Sequence, residues 1–292
     1  MPPKRIQKTV LAMLVVAVLF VVVRAAADAP HITKDIPYAG AGSDKMQSLD
    51  FVCPSSGPGP FPLVLWIHGG GWISGDKAEQ TAYFLTEHGY AVASINYRLI
   101  PQAVFPAQLN DCKAAVRFLR EHAREYNIDP NRIGAWGASA GGHLAALLGT
   151  TGNTMTPGQN NDTSCAVQAV CDWYGPTDLT SVNSQISPDW GIDLTSANAV
   201  HYRLVGSQDK RKLWQASPVA YVNKNDPPFL IMHGARDNIV PISQSRELYK
   251  ALLSAGCDVK FVEVKDAGHS FSNLSDWKTV LEFFNKKLKT RA

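Results

Sequence analysis

Ser139 has the residue type and the setting of a catalytic nucleophile. It is the centre of the pentapeptide Gly137-Ala138-Ser139-Ala140-Gly141, which lies between a strand-like run at 132–136 and a helix-like run at 143–148. A serine in Gly-x-Ser-x-Gly at a sharp turn from strand to helix is exposed at the top of a sheet. Its hydroxyl is a weak nucleophile at neutral pH, so it needs a general base and a carboxylate that orients the base.

Asp237 and His269 are the partners that the later sequence offers. The apolar run 228–233 predicts a buried strand, and Asp237 follows it in a turn. A second predicted strand, at 259–264, leads into His269. Open α/β sheets place their sites at the carboxyl ends of their strands, so both side chains are expected at the same edge as Ser139. The order Ser, Asp, His is that of the α/β-hydrolases.

Three other aspartates compete with Asp237 for the orienting role. Asp172 and Asp178 precede a long irregular segment, and Asp266 lies three residues before His269. Asp266 is so close in sequence that it would share the histidine's loop instead of bracing it from a neighbouring strand. We therefore predict Asp237 as the orienting carboxylate.

A glycine run supplies the fourth part of the predicted site. The apolar strand predicted at 62–67 leads into His68-Gly69-Gly70-Gly71-Trp72. Glycines have no Cβ, so the backbone there can approach a ligand closely. Backbone N–H groups of Gly70, Gly71 and Ala140 are the predicted donors to an oxyanion. Trp72 either contributes its own N–H or lines the pocket with its ring.

At this point the chain resembles the α/β-hydrolase superfamily, and within it the His-Gly-Gly-Gly esterases related to hormone-sensitive lipase. It looks most like the compact bacterial feruloyl and acetyl-xylan esterase-like group. The resemblance covers about residues 45 to 290 and implies ester hydrolysis through an acyl-enzyme, without a cofactor. About forty mature residues precede the glycine run, whereas lipase-like relatives have a sizeable N-terminal cap there. The stretches that carry the resemblance are 68–72, 96–99, 137–143, 174–178 and 233–237.

Strand-like and helix-like runs alternate along the chain, which predicts a mainly parallel sheet with helices on both faces. The resemblance implies that this sheet has the α/β-hydrolase fold. Strands are predicted at 47–52, 89–97 and 167–173 in addition to those above, and helices at 78–88, 106–126 and 243–255. The segment 271–288 is expected to close the fold.

The segment 179–214 is predicted to be a small lid insertion over the site. Long loops inside compact domains are usually functional. Its aromatic residues Trp190, Tyr202 and Trp214 are candidate walls of the acyl or alcohol pocket. The alternative is that these aromatic side chains only pack the lid onto the core.

No metal site, cofactor site or disulfide framework is predicted. His68, His143 and His233 lie near the same sheet edge but lack paired metal-ligand spacing, so their ring N–H groups are expected to hold backbone carbonyls. The five cysteines are an odd number, and one long-range bridge remains open. Cys112 falls on the apolar face of a predicted helix, where a small buried hydrophobic residue is expected.

Residues 1–27 are predicted to be a signal peptide, and residues 28–292 the catalytic domain. Basic residues precede an apolar run from Val10 to Val23, and Ala25-Ala26-Ala27 suits cleavage. The alternative is an uncleaved membrane anchor, although a span needs about 20 apolar residues. Removal of residues 1–27 changes the formal charge from +3 to −1, so no nucleic-acid partner is implied. We expect a secreted or periplasmic protein.

The sequence therefore predicts a secreted serine esterase of short-chain or aryl esters, of acetyl or feruloyl type. Its partner would be a small ester, with an esterified polysaccharide as a further option. One alternative is a small-amide hydrolase or peptidase, formamidase-like, with the same triad. Another is a catalytically inactive surface-binding protein, which is disfavoured because every catalytic position holds a competent residue.

Overall fold

The computed structural model describes residues 32–40, 42–152, 163–187 and 199–289. Eight strands in these ranges form one sheet, in the order β1-β2-β4-β3-β5-β6-β7-β8. Pairs β1–β2 and β2–β4 are antiparallel, and all other neighbours are parallel. The strands are β1 Ile32–Pro37, β2 Ser48–Val52, β3 Phe61–Ile67, β4 Ala91–Ile95, β5 Ile128–Ala138, β6 Ala169–Trp173, β7 Phe229–Gly234 and β8 Val259–Val264.

Helices cover both faces of this sheet. A 3-10 helix at Tyr83–His88 and the C-terminal helix bury apolar residues on one face, and the first long helix does so on the other. The α-helices are α1 Ala107–Glu121, α2 Ala140–Thr151, α3 Val182–Gln185, α4 Val200–Val205, α5 Lys210–Gln215, α6 Ile242–Ser254 and α7 Leu274–Phe284. A second 3-10 helix spans Pro218–Tyr221, and a π-helical turn at Asn285–Lys289 follows α7.

The hydrophobic pattern explains this layering. Every residue of β3 and of β6 is buried, as expected for parallel strands that helices cover on both sides. Helix α1 is amphipathic, and Leu109, Cys112 and Val116 on its inner face are fully buried. The predicted burial of Cys112 is confirmed. The five cysteines all lie in the described residues, and no disulfide joins any two of them.

Two elements differ from the sequence prediction. The segment predicted as a helix at 78–88 contains only the 3-10 helix Tyr83–His88. The N–H of Lys77 donates to the Asn96 side chain (2.6 Å), and its Nζ pairs with buried Asp50 (2.7 Å). These tertiary contacts hold the start of the segment in a turn, so helix propensity is overridden. Strand β1 was not predicted, because it is a largely exposed edge strand with charged residues.

Strand β1 has a defined direction relative to the site edge. It is antiparallel to β2, which is antiparallel to β4, so β1 runs the same way as the parallel strands. Ile32 therefore begins β1 at the edge opposite to the carboxyl ends of those strands. Among the described residues, no helix has both the length and the apolar character of a membrane span.

Candidate active site

Ser139 forms the turn between β5 and α2. Its backbone has φ 56° and ψ −120°, a conformation that is strained for a residue with a side chain. The Ser139 N–H donates to the Trp173 carbonyl (2.8 Å), and the Ser139 carbonyl accepts from the His143 N–H (3.0 Å). These bonds tie the turn to β6 and to the first turn of α2, so the strained conformation is held from both sides.

Glycine is required on both sides of this turn. A Cβ on Gly141 would overlap the carbonyl oxygen of Ile67 in β3, and a Cβ on Gly137 would overlap the carbonyl of Gly141. The helix can therefore start directly against the sheet only because both positions lack a side chain.

The predicted triad side chains form a continuous hydrogen-bonded series. His269 Nε2 lies 2.9 Å from Ser139 Oγ, and His269 Nδ1 lies 2.7 Å from Asp237 Oδ2. An ionised carboxylate only accepts hydrogen bonds, so Nδ1 must carry the proton. Nε2 is then the acceptor for the serine hydroxyl, which is the tautomer that a general base needs.

The Asp237 carboxylate is buried, and both of its oxygens accept hydrogen bonds. Its Oδ1 accepts from the N–H groups of Ile239 (2.8 Å) and Val240 (3.0 Å), and its Oδ2 lies 3.2 Å from His233 Nε2. Burial by itself would raise the pKa of Asp237, but hydrogen bonds with His233 and His269 outweigh it and hold that pKa well below its usual range. The carboxylate therefore stays ionised beside the imidazole.

His233 is a second histidine on the same carboxylate. Its Nε2 is also 3.0 Å from the Val240 carbonyl, so this nitrogen carries the proton, and its Nδ1 accepts from Ser245 Oγ (2.7 Å). The expectation that this ring holds a backbone carbonyl is confirmed. Its contact with Asp237 was not predicted, because the two residues are four positions apart across a turn and no sequence pattern indicates the shape of that turn.

The other two histidines of this edge are also structural. His68 Nδ1 bonds the Gly69 carbonyl (2.8 Å), and His143 Nε2 bonds the Ala216 carbonyl (2.7 Å). Both are fully buried, and burial lowers the pKa of His143 to about 4. The described residues contain no group of three or more His, Cys, Asp or Glu residues arranged to hold a metal ion.

Aromatic rings support the His269 imidazole. The ring of Tyr174 lies 4.6 Å from it, centroid to centroid, and Phe271 packs against Tyr174 at 5.0 Å. Phe271 in turn contacts Trp173 of β6 at 4.9 Å, edge to face. The loop that carries the histidine is therefore anchored to the sheet core by apolar packing as well as by Asp237.

The predicted oxyanion donors lie beside Ser139. Gly70 and Gly71 have φ of 101° and 59°, and a Cβ on Gly70 would overlap the Ser74 carbonyl. Both glycines and Ala140 line one cavity with Ser139. No hydrogen bond among the described loop and turn residues uses their N–H groups, and Ala140 is the first residue of α2, where N–H groups have no helical partner. These groups remain available to a ligand.

The cavity over Ser139 and His269 has a volume of about 550 Å³. Apolar side chains make most of its wall, including Pro176, Leu179, Val182 and Ile239. A pocket of this size and character suits a small organic ligand that a few polar groups orient.

Four aromatic residues were predicted to line the pocket, and the structure bears on three of them. Trp72 lines the cavity. Tyr202 and Trp214 do not: the Tyr202 hydroxyl accepts from Asn183 (2.6 Å), and Trp214 is 46 % exposed on α5. Trp190 lies outside the described residues. For Tyr202 and Trp214 the pocket prediction is wrong, because aromatic character alone does not fix which way a short helix turns its side chains.

His201 is a polar cavity residue that the sequence did not indicate. It lies on α4, next to Tyr202, and lines the cavity with Leu179 and Val182. A single histidine outside any motif carries no signal in a sequence, so only the fold could reveal it.

The three competing aspartates lie elsewhere. Asp172 accepts from the Gly175 N–H (3.0 Å), Asp178 accepts from the Thr180 hydroxyl (2.6 Å), and Asp266 forms an exposed ion pair with an arginine. Among the contacts of the described residues, none of the three bonds the imidazole at 269.

A comparison with models of protein families identifies the family of this chain. The model of the family described as BD-FAE matches residues 49–252, which is most of the chain. The chain belongs to the BD-FAE family. This is an α/β-hydrolase esterase family related to hormone-sensitive lipase, so the predicted family is confirmed.

Individual relatives of this BD-FAE member are esterases. Esterase LipQ of Mycobacterium tuberculosis is 34 % identical over 82 % of the chain and 57 % of LipQ. A truncated carbohydrate esterase from gut microbiota has a TM-score of 0.80 at 32 % identity, over 90 % of this chain and 98 % of that one. An acetyl ester-xyloside bifunctional hydrolase from Caldicellulosiruptor lactoaceticus has a TM-score of 0.66 at 26 % identity, over 82 % and 85 %.

The chain spans less than two thirds of the length of the first curated relatives. Some curated relatives of the BD-FAE chain are named as peptidases or as an acylamino-acid-releasing enzyme. The structural matches confirm the predicted α/β-hydrolase fold.

Proposed function

We propose that this chain is a secreted serine carboxylic-ester hydrolase of short-chain or aryl esters, of acetyl or feruloyl type. The observation that carries the proposal is the series Ser139 Oγ, His269 and Asp237, with bonds of 2.9 and 2.7 Å, beside three unused N–H groups. The names of its structural neighbours, carbohydrate esterases, support an acylated sugar or polysaccharide as substrate.

The geometry supports an acyl-enzyme route. Ser139 Oγ attacks the ester carbonyl carbon while His269 Nε2 takes the hydroxyl proton. The oxyanion that forms accepts hydrogen bonds from the N–H groups of Gly70, Gly71 and Ala140, each worth about 3 kcal/mol in comparable sites. The bond to the alcohol oxygen then breaks, and His269 returns the proton to the leaving alcohol. Water attacks the acyl-serine by the same steps, which releases the acid and restores Ser139.

The test is hydrolysis of p-nitrophenyl acetate by the wild type and by Ser139→Ala. Loss of the nucleophile should reduce kcat on the order of 10⁶-fold and leave only the residual rate that the oxyanion hole and substrate binding provide. Ser254→Ala, at an exposed position at the end of α6, is the matched control and should keep the wild-type rate. Equal rates for wild type and Ser139→Ala would exclude the mechanism. A fluorophosphonate probe that labels the wild type and not Ser139→Ala would exclude an inactive binding protein.

A small-amide hydrolase or peptidase is the second candidate, because some relatives carry peptidase names. An ester and its matched anilide, assayed with the same preparation, separate the two candidates. An esterase should cleave the ester far faster, whereas comparable kcat/KM values would favour the amidase.

Secretion is part of the proposal, and residues 1–27 support it by their charge and apolar pattern. Expression of the full chain in a bacterial host tests this prediction. A protein that begins at Asp28 in the periplasm or medium would support it. An intact N-terminus in the membrane fraction would favour the anchor instead.

A further inference from the structure

His201 is a buried polar residue that lacks a partner. Only 3 % of the residue is exposed, and neither Nδ1 nor Nε2 has a hydrogen bond among the described residues. The other fully buried histidines there, at 68, 143 and 233, each have at least one bonded ring nitrogen. An unpaired polar group in the interior is costly, so such groups usually have a ligand, a water or a functional reason.

The surroundings indicate that a partner for this ring would come from the cavity. His201 lines it together with the apolar Leu179, Val182 and Ile239, which offer no side-chain donor or acceptor. Glu79 also lines the cavity, but it is exposed, so water can satisfy its carboxylate. His201 is thus a cavity residue whose two ring nitrogens, one donor and one acceptor, are both buried and unbonded among the described residues.

The His201 ring is suited to a neutral partner that can both donate and accept a hydrogen bond. Burial lowers the pKa of His201 to about 4, so the imidazole is uncharged at neutral pH. A neutral imidazole has one donor and one acceptor, as a hydroxyl group does. The Tyr202 ring lies 4.1 Å away, and its hydroxyl is held by Asn183 at 2.6 Å, so one side of the imidazole has a fixed wall.

We propose that His201 is a substrate-recognition residue whose ring hydrogen-bonds a hydroxyl group close to the scissile ester. The proposal rests on ester hydrolysis at Ser139. Two sources share this chemistry: a sugar hydroxyl on the alcohol side, or a phenolic hydroxyl on the acyl side. An apolar pocket alone discriminates only weakly, and against the ester that carries the hydroxyl, whereas a site built to bond a hydroxyl rejects the analogue that lacks it.

Two ester pairs, each differing by one hydroxyl, test the proposal. The alcohol-side pair is the monoacetate of vicinal trans-cyclohexanediol and cyclohexyl acetate. The acyl-side pair is methyl p-coumarate and methyl cinnamate. The measured quantity is the ratio of kcat/KM for the hydroxylated ester to that for its partner. The proteins are the wild type, His201→Phe, His201→Gln and, as a control on an exposed position of α4, Arg203→Ala.

The expected result is a wild-type ratio of about 10 or more in one pair, and the pair identifies the source of the hydroxyl. His201→Phe should lower that ratio about 10- to 100-fold, because the phenyl ring has the shape without the donor and acceptor. His201→Gln should restore part of the ratio, and Arg203→Ala should keep it.

Two outcomes would overturn the proposal while Ser139-dependent cleavage of p-nitrophenyl acetate persists. The first is a wild type without preference in either pair, which needs no variant to fold. The second is a His201→Phe ratio equal to the wild-type ratio; if kcat/KM then falls equally on both members of a pair, His201 has a structural role. Failure of the proposed function is distinct, because then the wild type would not cleave p-nitrophenyl acetate at all.

Discussion

Asp172 and Asp237 lie near the carboxyl ends of the neighbouring strands β6 and β7, and both are buried. The pKa values of their carboxyl groups are nevertheless shifted in opposite directions. The Asp237 carboxylate has four donors, two of them the rings of His233 and His269, and its pKa is lowered. The Oδ1 of Asp172 accepts a hydrogen bond from the Gly175 N–H, and its Oδ2 has no hydrogen-bond partner among the described residues. Burial raises the pKa of Asp172 to about 6.

The difference shows that the supply of donors, and not burial, makes a carboxylate fit to support a base. Asp172 is inside a strand, where the backbone N–H groups already serve the sheet. Asp237 is in a turn just after its strand, and the N–H groups of the next residues fold back onto it. A turn provides unpaired N–H groups that a strand cannot provide.

Asp237→Asn should have the largest effect. The amide cannot hold the His269 proton on Nδ1 as a carboxylate does, so we expect kcat to fall about 10⁴-fold, as in other triads. p-Nitrophenyl acetate hydrolysis measures it. Asp172→Asn is the matched control and should retain activity within about tenfold. If Asp172→Asn loses as much activity as Asp237→Asn, the comparison between the two carboxylates is wrong.

His233→Phe should have the next largest effect. It removes a donor from Asp237 and leaves the Val240 carbonyl and Ser245 without their buried partner. We expect the free energy of unfolding to fall by about 2–3 kcal/mol, since hydrogen bonds to charged groups are among the stronger ones. Urea unfolding at pH 7 measures the change, with exposed His88→Phe as the control. A change no larger than that of His88→Phe would show that Asp237 does not depend on this donor.

Asp172→Asn should change how stability depends on pH. The folded pKa of Asp172, about 6, is above the unfolded value of about 3.9, so the folded state pays to ionise it as pH rises between these values. The free energy of unfolding of the variant should exceed that of the wild type by about 1–3 kcal/mol at pH 8. The difference should shrink as pH falls through 6 and vanish near pH 4. Urea unfolding at these three pH values measures it, and a difference that grows in acid would contradict the assigned sign.

Asp266→Asn should have the smallest effect. Its ion pair with Arg236 is on the surface, with both side chains more than 70 % exposed. Ion pairs of this kind change the free energy of unfolding by no more than about 0.5 kcal/mol. Thermal unfolding and p-nitrophenyl acetate hydrolysis should both match the wild type. A large loss of activity would mean that Asp266, and not Asp237, orients His269.

The parts of the site on strand ends were predictable because local sequence determines them. Apolar runs mark buried strands, and a parallel sheet brings their carboxyl ends to one edge, so Ser139, Asp237 and His269 could be placed without coordinates. The glycine run followed from the same reasoning, because a close backbone approach excludes side chains.

The parts of the site that depend on tertiary contacts were not predictable. His201 and Trp214 lie on the short helices α4 and α5, and the directions of their side chains are set by packing against the rest of the domain. The pairing of Asp237 with His233 depends on the path of one turn. The turn at 78–82 depends on Lys77, which distant residues hold by its side chain and its N–H.

The direction of β1 has a consequence for how the enzyme would meet its surroundings. Ile32 starts that strand at the rim opposite Ser139, so the described domain is entered from the side away from the cavity mouth. An attachment at Ile32 would therefore leave the mouth open to large substrates such as polysaccharides.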